Sequence, residues 1–88
     1  MKLLFIRRIV GRSMLPTLIP GQIIMASHLK PYKPGSIVIV YLKNEEIIKR
    51  VLKIDKSGVW LISDNKKEGQ DSRHFGPIRQ NQILGTKI

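Results

Sequence analysis

The chain has 88 residues, 42% hydrophobic and 25% charged, with no cysteine; 16 Lys and Arg against 6 Asp and Glu give a formal charge of +10. A chain of that length makes one small domain that buries about 60 to 65% of its unfolded surface. The composition excludes a disordered chain, a disulfide scaffold and a thiolate metal site. The charge admits nucleic acid, anionic lipid or an acidic protein segment as partners, and equally a solvated basic surface.

The N-terminal "KLLFIRRIV" is predicted as a strand. Its apolar run, Leu3 to Ile6, stops at Arg7 and Arg8, well short of the roughly 20 residues of a membrane helix and of the roughly 7 to 15 of a cleavable leader. Neither a membrane span nor a signal peptide is therefore expected. "GRSMLPTLIPG", residues 11 to 21, holds the one expected helical turn, with Ser13 as N-cap and Pro16 in the first turn. "PGQIIMAS" and "PGSIVIVY" are each a Pro-Gly turn opening a β-rich apolar run, which predicts two strands of one sheet. "EEIIKRVLKI" and "GVWLIS", joined by "DKSG", read as a hairpin; a helix from Glu45 competes, but the β-branched content and the short polar turn favour strands. "SDNKKEGQDSRHFGP" reads as a loop and "QILGTKI" as a closing strand. No linker divides the chain, so residues 1–88 are expected to form a single, mainly β domain with a short helical turn after Ser13.

If Ser13 is a nucleophile, it needs a base. His28 and His74 each sit at a strand end or in a polar loop without the flanking acids of a triad, and read as ordinary loop histidines. Two histidines without an HExxH pattern predict no metal site. Most lysines lie among polar residues and should keep a pKa near 10.4. Lys49 differs, because on a strand its same-face neighbours are Ile47 and Val51, and desolvation lowers a lysine pKa. Arg50 has the equally apolar neighbours Ile48 and Leu52, but arginine does not deprotonate. On strand pattern alone, a snorkelling lysine remains the more ordinary reading of Lys49.

"GRSMLPTLIPG", "PGSIVIV", "IIKRVLKI" and "SDNKKEGQDSRHFGPI" occur in the order and character of the sequence boxes of type I signal peptidases, from about Gly11 to Gly85. The chain resembles that family, and the resemblance implies a signal peptidase and LexA-like β fold with a Ser/Lys catalytic dyad. By position, Ser13 would be the nucleophile and Lys49 the general base. The backbone N–H of Ser13 would serve the oxyanion hole, while Gly11 stands where some members carry a second, hydroxyl donor. Asp71 and Arg73 match an ion pair that fastens the loop beside the site; Asp64 and Asn65 match the start of that box and Ser72 its centre. Ile9, Met14, Leu18 and Ile48 would line a shallow pocket for small residues, with plain core as an equal alternative. Two positions depart from the pattern. Gly69 replaces a serine that often holds the lysine, and Ser63 replaces a glycine. Ser63 and Ser72 are then candidate hydroxyls for orienting Lys49.

Typical members also carry an N-terminal membrane helix and a large insertion between the lysine and the last box; neither is expected here. The chain resembles the small members instead, notably the proteases that mature nickel-type superoxide dismutase. The expected activity is serine endopeptidase removal of an N-terminal leader from a precursor protein or peptide. The competing expectations are the core of a signal peptidase without its anchor, a self-cleaving repressor domain, and an inactive basic β-barrel binding module. No cofactor is expected, and no nucleic acid, because the five aromatic residues are dispersed. A monomer is expected, soluble and cytoplasmic, with weak contact to an anionic membrane surface as a further expectation; a core derived from an anchored enzyme would be peripheral or extracytoplasmic.

Overall fold

Each apolar run read as a strand folds as one. The computed structural model describes residues 3–88, so Lys2, in the expected N-terminal strand, lies outside the described residues. Among the described residues six strands, β1 (Leu4–Arg8), β2 (Ile23–Ser27), β3 (Ile37–Leu42), β4 (Glu45–Asp55), β5 (Gly58–Ile62) and β6 (Ile83–Lys87), form one sheet in the order β1-β2-β6-β3-β4-β5. Every neighbouring pair is antiparallel.

The central strand explains why "IVIV" does not alternate with polar residues. Ile39 faces a cluster with Ile9, Met14, Leu18, Ile24 and Ala26, whereas Val38 and Val40 face a second cluster with Val51, Val59, Leu61 and Ile78. A strand covered on both faces reads as a continuous apolar run. Each of these buried aliphatic side chains contributes roughly 1.5 to 3 kcal/mol, so truncating fully buried Ile39 to alanine should cost about 2 to 5 kcal/mol.

The β3-β4 hairpin turns through Lys43 and Asn44, both at positive φ (52° and 67°), with Leu42 opposite Glu45. Two left-handed residues match the strand twist, and asparagine adopts that conformation readily. The pairing of β4 then changes hands along its length. Residues Glu45 to Arg50 pair with β3, while β5 pairs only from Arg50 onward. The Glu45–Lys49 segment of β4 is thus left with one edge that β5 does not cover.

The short helical turn expected after Ser13 is present: Leu18 N–H donates to Met14 O at 2.9 Å, and the turn does not propagate. Two elements were not expected, a four-residue helix, α1 (Ser72–Phe75), and a 3-10 turn (Gln80–Gln82), the first within the stretch read as loop. Asp71 caps α1 by accepting the N–H of Arg73, and His74 Nδ1 accepts the N–H of Asp71. This reciprocal cap uses His where Glu or Gln is usual, which hid it from a motif reading.

Candidate active site

Ser13 is presented by a turn whose ends are anchored in the core. Met14 and Leu18 are each only 2% exposed, and their burial fixes the turn while Ser13 stays partly exposed. Asn65 holds the same turn from outside: its backbone N–H donates to Ser13 O at 2.8 Å and its side-chain amide to Arg12 O at 2.9 Å. Asp64 lies beside the same turn, where the Thr17 side chain helps to hold its carboxyl below the usual range. Asp64 and Asn65 therefore link the Ser13 turn to the end of β5.

Lys49 is 4% exposed. Val38 lies directly across from it on β3, and Ile47 and Val51 flank it along β4 on the second core cluster. Burial among these side chains lowers the lysine pKa from its ordinary 10.5, against the opposing charge of Asp71. The tie with Arg50 is broken in space. Arg50 turns to the opposite face, binds both carboxylate oxygens of Asp64 at 2.8 and 2.7 Å, and donates to Gly35 O at 2.7 Å. That pairing holds the Asp64 carboxyl below its usual range, against desolvation.

Gly69 closes the site. A Cβ on Gly69 would lie 2.5 Å from Ser13 Cβ, 2.9 Å from Ser63 Oγ and 3.4 Å from Lys49 Nζ. One point thus gathers the serine, the lysine and a second hydroxyl, and the absent side chain is what leaves room for them. Gly69 also has φ +88°, a conformation that glycine adopts without strain.

The two candidate hydroxyls separate clearly. Ser72 Oγ accepts the N–H of Leu61 at 2.7 Å and so belongs to the seam between α1 and β5. Ser63 Oγ is buried and, among the described residues, is the one buried side-chain polar atom without a hydrogen-bond partner. Its backbone is fixed, since Ser63 N–H donates to Asp71 Oδ2 at 2.8 Å. Asp71 is fully buried and also takes both arms of the Arg73 guanidinium at 2.9 Å. Desolvation works to raise its pKa, but the Arg73 side chain and the N–H groups of Ser63 and Arg73 hold it at about 2.

Ser13 and Lys49 both line two adjoining grooves. The larger, about 420 Å3, runs between the β1 end and the free edge of β4 and is lined also by Ile9, Gly11, Met14 and Ile48. The smaller, about 360 Å3, lies under Gly69 and Phe75. Leu18 does not line either groove. The turn hydrogen bond to Met14 directs it inward, so its place is core and not pocket wall. Arg73, Ser72, Asp64 and Asp71 stand outside both grooves.

Neither histidine lines these grooves: His28 Nδ1 bonds Leu84 O and its ring stacks on Phe5, while His74 caps α1. Among the described residues no group of three or more His, Cys, Asp and Glu could hold a metal ion. Arg7 and Glu46, which sequence reasoning missed, also line the larger groove and bind each other across it. They are 39 positions apart, and no local pattern joins them.

A family model described as Peptidase S24-like matches residues 2–88. Signal peptidase I V of Bacillus subtilis (strain 168) is 36% identical over 59 residues, covering 67% of this chain and 34% of that protein. The chain thus aligns with about one third of that relative's length.

Proposed function

The chain belongs to the Peptidase S24-like family, and from that premise we propose that it is a serine endopeptidase in which Ser13 is the nucleophile and Lys49 the general base. The observation that carries the reading is the convergence of Ser13 and Lys49 beside Gly69, with the lysine buried among Val38, Ile47 and Val51. Burial favours the neutral amine, the form that can accept a proton.

Neutral Lys49 takes the proton of Ser13 Oγ as the oxygen attacks a peptide carbonyl. The ammonium returns that proton to the leaving amine, and an acyl-enzyme remains on Ser13. Lys49 then deprotonates a water, which releases the acyl group and restores both side chains. The N–H of Ser13 supports the developing oxyanion. Gly11, on the groove wall, has no hydroxyl to add.

The free edge of β4 and the outer edge of β1 border the same groove, so an extended peptide can pair with main-chain groups there. Ile9, Met14 and Ile48 form an apolar wall suited to a small residue at the scissile position. The finer reading is that the enzyme removes an N-terminal leader, with the extension of a nickel-type superoxide dismutase precursor as the specific substrate; the short interval from Arg50 to Asp64 supports it. The alternative within the class is the catalytic core of a larger signal peptidase. A weak contact with anionic membrane is also part of the proposal. Leu4, Ile6, Ile23 and Met25 are about half exposed on the outer face of β1 and β2, and the chain carries +10.

Co-expression with candidate precursors, followed by mass spectrometry of their N-termini, tests the reading. Cleavage lost in Ser13→Ala and in Lys49→Met supports it, and precursor left intact by the folded wild type overturns it. Co-sedimentation with vesicles containing or lacking anionic lipid tests the surface contact, which equal recovery from both would refute.

A further inference from the structure

The larger groove has two unlike halves. Beside Ser13 its walls are Ile9 from the β1 side and Ile48 from β4. One step of two residues back along each strand stand Arg7 and Glu46, and these two bind each other: Arg7 Nε to Glu46 Oε1 at 2.6 Å and Nη2 to Oε2 at 3.0 Å. Side chains two apart on a strand share a face. Phe5 and Ile9 both pack against the first core cluster, and the Arg7 guanidinium lies over the Phe5 ring at 4.9 Å from its centre. Ile48 packs against the same cluster, so the Arg7 and Glu46 pair continues the wall that Ile9 and Ile48 begin.

Resting on the protease reading, we infer that Arg7 and Glu46 select the substrate side chain two residues upstream of the scissile one. The strand order, antiparallel at every step from β1 through β2, β6 and β3 to β4, makes β1 and β4 parallel. Ser13 follows the C-terminal end of β1. An acyl chain that lies in the groove and ends at Ser13 Oγ therefore runs parallel to both strands. Its first upstream side chain meets Ile9 and Ile48, and its third, on the same face, meets Arg7 and Glu46.

An ion pair of this kind favours a neutral side chain that both donates and accepts. Glutamine or asparagine can accept from the guanidinium and donate to the carboxylate without breaking the pair. An aliphatic side chain would strip water from two half-exposed charges and return no hydrogen bond. A lysine or glutamate in the substrate satisfies one member and opposes the other. The protease thus reads a small residue next to the cut and a neutral polar residue two positions before it.

The test is competitive cleavage of peptides that differ only at the third upstream residue, Gln against Val, with a second pair that differs only at the second downstream residue. Ratios of kcat/KM in one mixture do not depend on how much enzyme is folded. Wild type should prefer Gln by about tenfold, the scale of a charge-assisted hydrogen bond. Arg7→Leu combined with Glu46→Leu should reverse the preference, and Arg7→Glu combined with Glu46→Arg should keep it. Equal rates for Gln and Val in wild type, an unchanged preference in the double leucine variant, or discrimination confined to the downstream position would each overturn the inference. A folded wild type that cleaves no peptide would overturn the protease reading itself, whereas cleavage indifferent to the third upstream residue would overturn only this selection.

Discussion

Gly69 and Ser13 are packed so that a Cβ at residue 69 would fall 2.5 Å from the serine's own Cβ. A side chain at 69 therefore displaces Ser13 or the loop that covers it, and the positive φ adds strain. Gly69→Ala is expected to lower kcat/KM by about a hundredfold, since a shift of about 1 Å at a reacting atom can cost that much. Thermal unfolding should show the domain still folded. A Gly69→Ala enzyme of wild-type activity would refute this packing.

Ser63 Oγ sits beside the same point without a hydrogen-bond partner. Removing a buried hydroxyl that bonds to nothing should leave stability unchanged or slightly raised. If the hydroxyl turns to the Lys49 amine during the reaction, Ser63→Ala will lower kcat several-fold and move the pH midpoint of the rate, while Ser63→Thr, which keeps the hydroxyl, retains more of both. Activity and midpoint unchanged in Ser63→Ala would mean that Lys49 is oriented by other groups.

Asp71 sets an acid limit on stability. Its carboxyl is held at about 2 in the folded chain, below the ordinary 3.8. A depressed acid contributes stability that is fully present above the unfolded value and is lost as pH falls through the folded one. The contribution is on the order of 1 to 2 kcal/mol, allowing for the half-exposed Arg73. Unfolding midpoints should drop as pH falls from 4 toward 2, and the drop should shrink in Asp71→Asn, which starts less stable. Equal acid sensitivity in the two proteins would contradict this role.

The strands were legible because their apolar runs and turn residues agree. The Pro-Gly turn and apolar run that end in Ile37–Val40 marked a strand, whose cover on both faces only the fold supplies, and the polar turn "DKSG" marked the β4-β5 hairpin. The site was legible only in part. Strand alternation gave Lys49 and Arg50 equally apolar neighbours, and what separates them is tertiary: Val38 lies across from one, and Asp64 takes up the other. For Leu18 the resemblance left pocket and plain core equally open, and the helical turn from Met14 sends it into the core. Helix α1 escaped notice because four residues carry no periodicity and its cap uses His74. Arg7 and Glu46 meet only because the sheet brings β1 and β4 to the same groove.

The most direct test of the Ser13 and Lys49 assignment is the pH dependence of kcat/KM for one cleaved peptide, measured on wild type, Lys49→Met and Ser13→Ala with folding checked at each pH. The account predicts a wild-type rate that rises with pH through a midpoint below the ordinary lysine value of 10.5, and no such limb in either variant. Lys49→Met retaining the wild-type rate and profile would contradict the assignment of Lys49 as the base.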